Sequence, residues 1–277
     1  YTLWHTLSLH DALPIYILAG LVTIGCLFHP AIQGQEITPA KVFEVHVAAG
    51  IQHTASRDQG FSPLIYSGWI PNVSVGLEIE HSNKTEKFLV NYSNGKLDNF
   101  YENSATNSSY QFFNYTLYHQ WKAWNGKLNF GWSNNNNLAT IDFAKSRNFN
   151  PRFRYLTSFG AAVRFQHMLS GSLSRIQLEA TSHFQLIGFM LQSSYVSASP
   201  SGFVENHESN FAAVMNSIEL FYPVDNWNWG IWPTIRYVFQ SGNSLSFHYR
   251  YDMLLLDGAH RFSKSTGTYL IRITTLL

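Results

Sequence analysis

Residues 73–80 read VSVGLEIE, and residues 113–122 read FNYTLYHQWK. In both stretches apolar and polar side chains alternate at every second position, which is the period of a β-strand and not of a helix. The same alternation returns in residues 175–186 and 245–252. The sequence therefore predicts an all-β protein.

The composition excludes several classes of protein. The chain has 277 residues, of which 16% are aromatic and only 13% are charged, and it contains a single cysteine. Many aromatic and few charged residues argue against disorder, and one cysteine cannot form a disulfide scaffold within the chain. The formal net charge of +1 gives no electrostatic footprint for nucleic acid, so we expect no nucleic-acid partner.

The apolar faces and the connections together predict a membrane barrel. The apolar faces carry whole aromatic rings near the ends of the predicted strands. The connections alternate between short ones, at 81–85, 124–127, 169–172 and 224–228, and long polar ones, at 54–60, 95–109, 134–150 and 193–210. These features are typical of an antiparallel transmembrane β-barrel with short periplasmic turns and long outer loops. We therefore expect the protein in the bacterial outer membrane.

The number of strands follows from the extent of the alternation and from parity. The alternation predicts strands at 42–53, 64–81, 87–94, 110–124, 127–133, 152–169, 173–192, 211–222, 229–240, 245–256 and 267–277. A single-chain bacterial barrel needs an even number of strands, so these eleven imply an error, which we place between Ser241 and Ser265. We expect about twelve strands, with ten as the alternative. Pro71 and Pro233 lie inside predicted strands and indicate bulges or strand starts.

The N-terminal segment does not fit the barrel pattern. Residues 6–15, TLSLHDALPI, resemble a translated sequencing adapter, so residues 1–15 are expected to be an artefact. Residues 16–28, YILAGLVTIGCLF, resemble the apolar region of a secretory signal peptide. We therefore expect a signal peptide over 16–34 and a barrel over 35–277. The alternative is a lipoprotein signal in which residues 23–26, TIGC, place Cys26 at the modified position.

The last strand carries a resemblance to known barrels. Tyr269, Ile271 and Ile273 alternate as in the terminal strand of outer-membrane barrels, although that strand usually ends in an aromatic residue and this one ends in Leu277. Over most of the chain the pattern resembles the small barrels of the Bacteroidota outer membrane. The resemblance implies outer-membrane lipid and the barrel-assembly machinery as partners, and it transfers no activity.

The alternation divides the side chains between lipid and lumen. We expect the face that carries Val75, Leu77, Tyr115, Leu117, Ile176 and Leu178 to contact lipid. The opposite face would then carry these lumen residues: Glu44, His46, Glu78, Glu80, Lys122, Arg164, Arg175, Glu179, His183, Glu219, Arg236, Arg250 and Arg272. Both charge signs are present, which favours a network of ion pairs that fills the lumen. The alternative is a narrow pore whose charged rings set selectivity.

One lumen row resembles a hydrolytic triad. Ser246, His248 and Asp252 share one face of a strand, and the twelve-stranded outer-membrane phospholipases use a related grouping. A general base must lie within about 3 Å of its partner, whereas side chains two apart on a strand start about 6.5–7 Å apart. The triplet at residues 81–83 reads HSN but falls in a short turn. The remaining histidines lack metal-ligand spacing, so we expect no metal and no cofactor.

The function hypotheses follow from the fold. The first is an outer-membrane barrel with a passive or accessory role, in the form of a narrow pore for small solutes. The alternatives are a phospholipase-like hydrolase that acts on lipid, and a structural subunit that binds an envelope protein through its outer loops. The sequence favours a protein that is not an enzyme.

Overall fold

The computed structural model describes residues 42–59, 62–123, 126–143, 152–192, 218–223, 226–257 and 261–277, and the side chains of residues 119–123 are not described. The expected adapter segment, signal peptide and lipoprotein signal lie outside these residues. Within them, no helix is long and apolar enough to cross a membrane.

The described chain folds into eleven antiparallel strands. They are β1 (Val42–Asp58), β2 (Ser62–Glu80), β3 (Lys84–Asp98), β4 (Ser104–Ala123), β5 (Gly126–Phe143), β6 (Arg152–Met168), β7 (Ile176–Gln192), β8 (Glu219–Phe221), β9 (Trp227–Val238), β10 (Ser244–Leu256) and β11 (Phe262–Leu276). One short 3₁₀ turn, Gly171–Leu173, lies between β6 and β7.

Ten of these strands close into a barrel. Each long strand pairs with its sequence neighbours, and β1 pairs with β11 to complete the ring. The short β8 pairs only with residues 188–190 of β7, whereas β9 pairs with residues 176–184 of the same strand. The barrel therefore has the ten strands expected as the alternative, close to the twelve preferred. The error expected between Ser241 and Ser265 is not there, because the described residues of that region contain only β10 and the start of β11. The eleventh strand is instead the fragment β8, which lies outside the ring.

The strands are staggered around the barrel. A row of paired residues that starts at Val47 and runs through β2 to β6 reaches β7 at Phe189. The row that leaves Val47 in the other direction, through β11, β10 and β9, reaches β7 at Ile176. This displacement is the shear of a tilted barrel, and it decides which residues share a level in the lumen.

The barrel wall is taller than a bilayer requires. The strands β2 and β4 have 19 and 20 residues, against the 9–11 residues that cross a membrane. On β1 the outward residues are apolar from Phe43 to Ile51, and His53 and Arg57 follow. Segments expected as long outer loops are therefore partly strand, because polar outward residues continue the pairing beyond the apolar belt. The largest changes are at 95–109 and 134–150, where only residues 99–103 and 144–151 separate the strands.

The outer face carries an apolar belt with aromatic rings at its upper edge. Val75 and Ile271 are 52% and 63% exposed on this face. At the edge nearer the loops, Trp69 lies 6.1 Å from Tyr269, and Tyr269 lies 4.9 Å from Tyr249, between ring centroids. This is the arrangement of a barrel that spans lipid. Of the residues expected to contact lipid, Val75, Leu77, Ile176 and Leu178 point outward, as their strand partners require.

The expected orientation of β4 is wrong. Tyr115 and Leu117 are each 1% exposed and face the lumen. Tyr115 pairs with Lys87 on β3, and both side chains point to the interior. The alternation on β4 is correct, but aromatic rings occur on both faces, because the interior of a small barrel must be filled by side chains.

The two strand prolines interrupt the hydrogen-bonded ladders without a bulge. Pro71 pairs with Ile51 on β1 but lies in a gap of the β2–β3 ladder, between Ser67 and Asn72. Pro233 lies in a similar gap of the β9–β10 ladder. A proline has no N–H to donate, so each ladder opens on one side.

Candidate functional site

The lumen contains a layer of charge at the end that bears the short turns. Glu78 on β2 contacts Arg164 on β6, with 2.5 Å between Oε1 and Nη1, and Lys87 Nζ lies 3.2 Å from Oε2 of the same carboxylate. Arg164 also donates to Thr85 Oγ1 at 3.0 Å. Because β2 and β6 lie on different sides of the barrel, this cluster crosses the lumen.

A second ion pair stands at the mouth of a wide vestibule. Arg236 Nη2 on β9 lies 2.7 Å from Glu44 Oε1 on β1. The vestibule has a volume of about 880 Å³, and its wall includes Glu44, Glu78, Arg164 and Arg236. It lies at the end of the barrel that bears the short turns, and the charged layer forms part of its wall.

Aromatic rings form the next layer. Phe113 on β4 lies 4.5 Å from Trp232 on β9 and 4.9 Å from His183 on β7, between ring centroids. The guanidinium of Arg250 lies 5.1 Å from the centre of the Trp232 ring and donates to Asn91 Oδ1 at 2.6 Å. Rings from three strands thus meet in the middle of the lumen.

Amide and hydroxyl side chains line the level above the rings. Asn91 donates to Gln111, and Gln111 donates to Asn135, both at 3.1 Å. Asn72 donates to Gln52 at 3.0 Å. We call the cavity of about 70 Å³ that these side chains surround the amide chamber. It is polar, small and separated from the vestibule by the rings and the charged layer.

The loop end of the lumen is partly apolar. Two clusters lie there, Leu156, Met190, Phe221, Leu256 and Phe262 in one, and Tyr66, Ile70, Leu97 and Ala105 in the other. Between them Arg154 lies 3.4 Å above the Phe262 ring and donates to Asp58 Oδ2 at 2.8 Å. A cavity of about 50 Å³, the rim cavity, is lined by these charged residues and by Lys264.

Most of the expected lumen residues lie in the interior. They are Glu44, His46, Glu78, Arg164, Glu179, His183, Arg236, Arg250 and Arg272, and Glu80 lies on the same face at the vestibule mouth. The prediction for Arg175 is wrong, because this residue lies in the turn before β7 and is exposed there. Glu219 begins β8 and is exposed at the loop end, so it is also not enclosed. The side chain of Lys122 is among those that the structure does not describe.

The catalytic candidates are only partly brought together. Ser246 Oγ lies 3.0 Å from His248 Nε2, but Nδ1 of that histidine lies 2.7 Å from Thr234 Oγ1 and not near Asp252. The carboxylate of Asp252 instead contacts His183. Ser246 and His248 are buried, and neither lines the vestibule, the amide chamber or the rim cavity. The turn at residues 81–83 joins β2 to β3, as expected.

The sequence reasoning missed several interior residues. Lys87 and Trp232 belong to the charged and ring layers, although neither was singled out. Asn134–Asn137, expected in the long polar connection 134–150, lie in β5, where Asn135 faces the amide chamber. Their polar character suggested a loop, and only the pairing of β5 with β4 and β6 places them. Among the described residues, no three His, Cys, Asp or Glu side chains are grouped to hold a metal.

Comparisons with known proteins add only distant likenesses. No protein-family model and no curated protein matches the chain. Neisserial surface protein A is 11% identical with a TM-score of 0.35, over 85% of this chain and 99% of that one. The β domain of the Bordetella autotransporter BrkA is 7% identical with a TM-score of 0.36, over 85% and 98%. An outer-membrane channel from Pseudomonas putida F1 is 9% identical with a TM-score of 0.34, over 89% and 100%.

The fold is established by the closed strand pairing itself.

Proposed function

We propose that the protein is a bacterial outer-membrane barrel with a passive role, a narrow pore that is closed in this conformation. The vestibule and the amide chamber supply polar space on two sides of the ring layer. The observation that carries the proposal is the contact of Phe113 with Trp232, which separates them. Rings that rest on one another can part without breaking the barrel, so brief openings of low conductance are expected. The resemblance to Bacteroidota barrels remains a prediction.

Conductance across planar lipid bilayers tests the pore. The native protein should give small, infrequent current steps. Trp232→Ala removes the ring that meets Phe113 and should increase the current, whereas Trp229→Ala, on the outer face of the same strand, should not. Large permanent currents from the native protein would contradict a closed lumen. No current from either the native protein or Trp232→Ala would contradict the pore.

One contact supports a second candidate, the lipid-acting hydrolase. The hydroxyl of Ser246 lies within hydrogen-bond distance of His248. Lipid hydrolysis by the purified protein, abolished in both Ser246→Ala and His248→Ala, would support it. We infer a structural role for the pair, because both side chains face inward and contact Arg272 or Thr234. Binding to an envelope protein is the third candidate, and co-purification from membranes tests it.

A further inference from the structure

Lys264 stands between two cavities at the loop end of the lumen. Its side chain lines both the rim cavity and the amide chamber. Within the described part of the chain, it has neither a hydrogen bond nor an ion pair, although Lys84, Lys87 and Lys96 each have a carboxylate partner. Lys264 is half-buried, and an ammonium group in such a place without a carboxylate favours the binding of an anion.

The amide chamber has an excess of positive charge. Its charged lining residues are Arg250, Lys264 and Asp252. The single carboxylate is already engaged, since Asp252 Oδ1 lies 3.1 Å from His183 Nε2 and accepts from Trp232 Nε1 at 2.9 Å. One positive charge thus remains without a counterpart in the wall. A single monovalent anion would neutralise it.

The neutral lining supplies hydrogen-bond donors. Each primary amide has two N–H groups, and Asn72, Asn91 and Gln111 use one each in the network described above. The remaining N–H groups suit the two oxygens of a carboxylate. Leu156 and Leu254 also line the chamber and offer an apolar surface. That surface suits a short alkyl group better than it suits a fully hydrated ion.

The size of the chamber limits the ligand. Its volume of about 70 Å³ is roughly a twelfth of the 880 Å³ of the vestibule. The small space favours a carboxylate of one or two carbons over an aromatic acid. Lys264 also lines the rim cavity at the loop end of the lumen.

We propose that the amide chamber binds a small monovalent carboxylate, with Lys264 as the binding cation. This site goes beyond the proposed pore, because it requires the closed barrel but no passage of solute. Binding without current would retain the site and contradict the pore. Current without binding would contradict the site alone.

Calorimetric titration of the purified full chain in detergent with sodium acetate, at constant ionic strength set with sodium chloride, tests the site. Acetate should bind with one site per chain, and benzoate should not bind. Lys264→Met should weaken acetate binding at least tenfold, and Lys264→Arg should retain it. The control is Lys96→Met, because Lys96 points outward beyond the belt and pairs with Asp98 there. Its affinity should equal that of the native protein.

Three outcomes would overturn the site: no acetate heat above the chloride background, equal affinity of Lys264→Met and the native protein, or equal binding of benzoate. If Lys264→Met does not refold, saturation-transfer NMR on the native protein decides. Protein-to-acetate transfer that excess formate removes supports the site, and the absence of transfer overturns it.

Discussion

The carboxylate of Asp252 and the imidazole of His183 meet over a glycine, with 3.1 Å between Oδ1 and Nε2. Gly230 on β9 is paired with Asp252 on one side and with His183 on the other. A Cβ at this glycine would collide with both side chains. Three neighbouring strands thus form one interior contact because the middle position has no side chain.

We expect Gly230→Ala to destabilise the barrel by roughly 1–3 kcal/mol, as overpacking of a filled interior does. Gly267→Ala is the matched control, since a Cβ there would have its closest contact at 3.3 Å, with the Tyr249 hydroxyl. The measurement is the free energy of unfolding in detergent with urea. Equal stability of the two variants would show that the side chains around Gly230 move aside to make room for the added methyl group.

The second prediction concerns the partner of Asp252. Arg250 lies two residues before Asp252 on the same face of β10, but its guanidinium contacts Asn91 and Trp232. A double-mutant cycle on Asp252→Ala and His183→Ala should therefore give a coupling energy of about 0.5–3 kcal/mol. The cycle on Asp252→Ala and Arg250→Ala should give a smaller value. The reverse order would show that Asp252 is coupled more strongly to Arg250 than to His183.

The sequence predicts the strands of this barrel better than the side-chain contacts inside its lumen. Strand type follows from the period of two, and ten of the eleven predicted strands overlap long strands of the barrel. The sequence does not show which face of a strand points into the lumen where both faces carry aromatic rings, as at Phe112 and Phe113 on β4. Contacts across the lumen, such as Glu78 with Arg164, depend on the stagger of all ten strands, which no local pattern contains.

The third prediction tests the apolar belt. Val75 points outward in the middle of the belt, and Val75→Arg should cost about 2–4 kcal/mol of stability in a lipid bilayer. Asn94 points outward on β3, above the belt, so Asn94→Arg should cost about 0–1 kcal/mol. Unfolding titrations in lipid vesicles measure both. If the two costs are alike, the outer face does not contact lipid where we place it.

The last prediction concerns Glu78 in the charged layer. Glu78→Gln would leave Lys87 and Arg164 buried without the carboxylate that both contact. Breaking a buried pair from one side costs about 3–5 kcal/mol, because the remaining charge stays in a poorly solvated site. Asp98→Asn is the control, since the exposed pair of Lys96 with Asp98 is worth about 0–1 kcal/mol. Urea unfolding in detergent measures both losses. A loss at Glu78 as small as the loss at Asp98 would mean that water from the vestibule solvates the two cations once the carboxylate is removed.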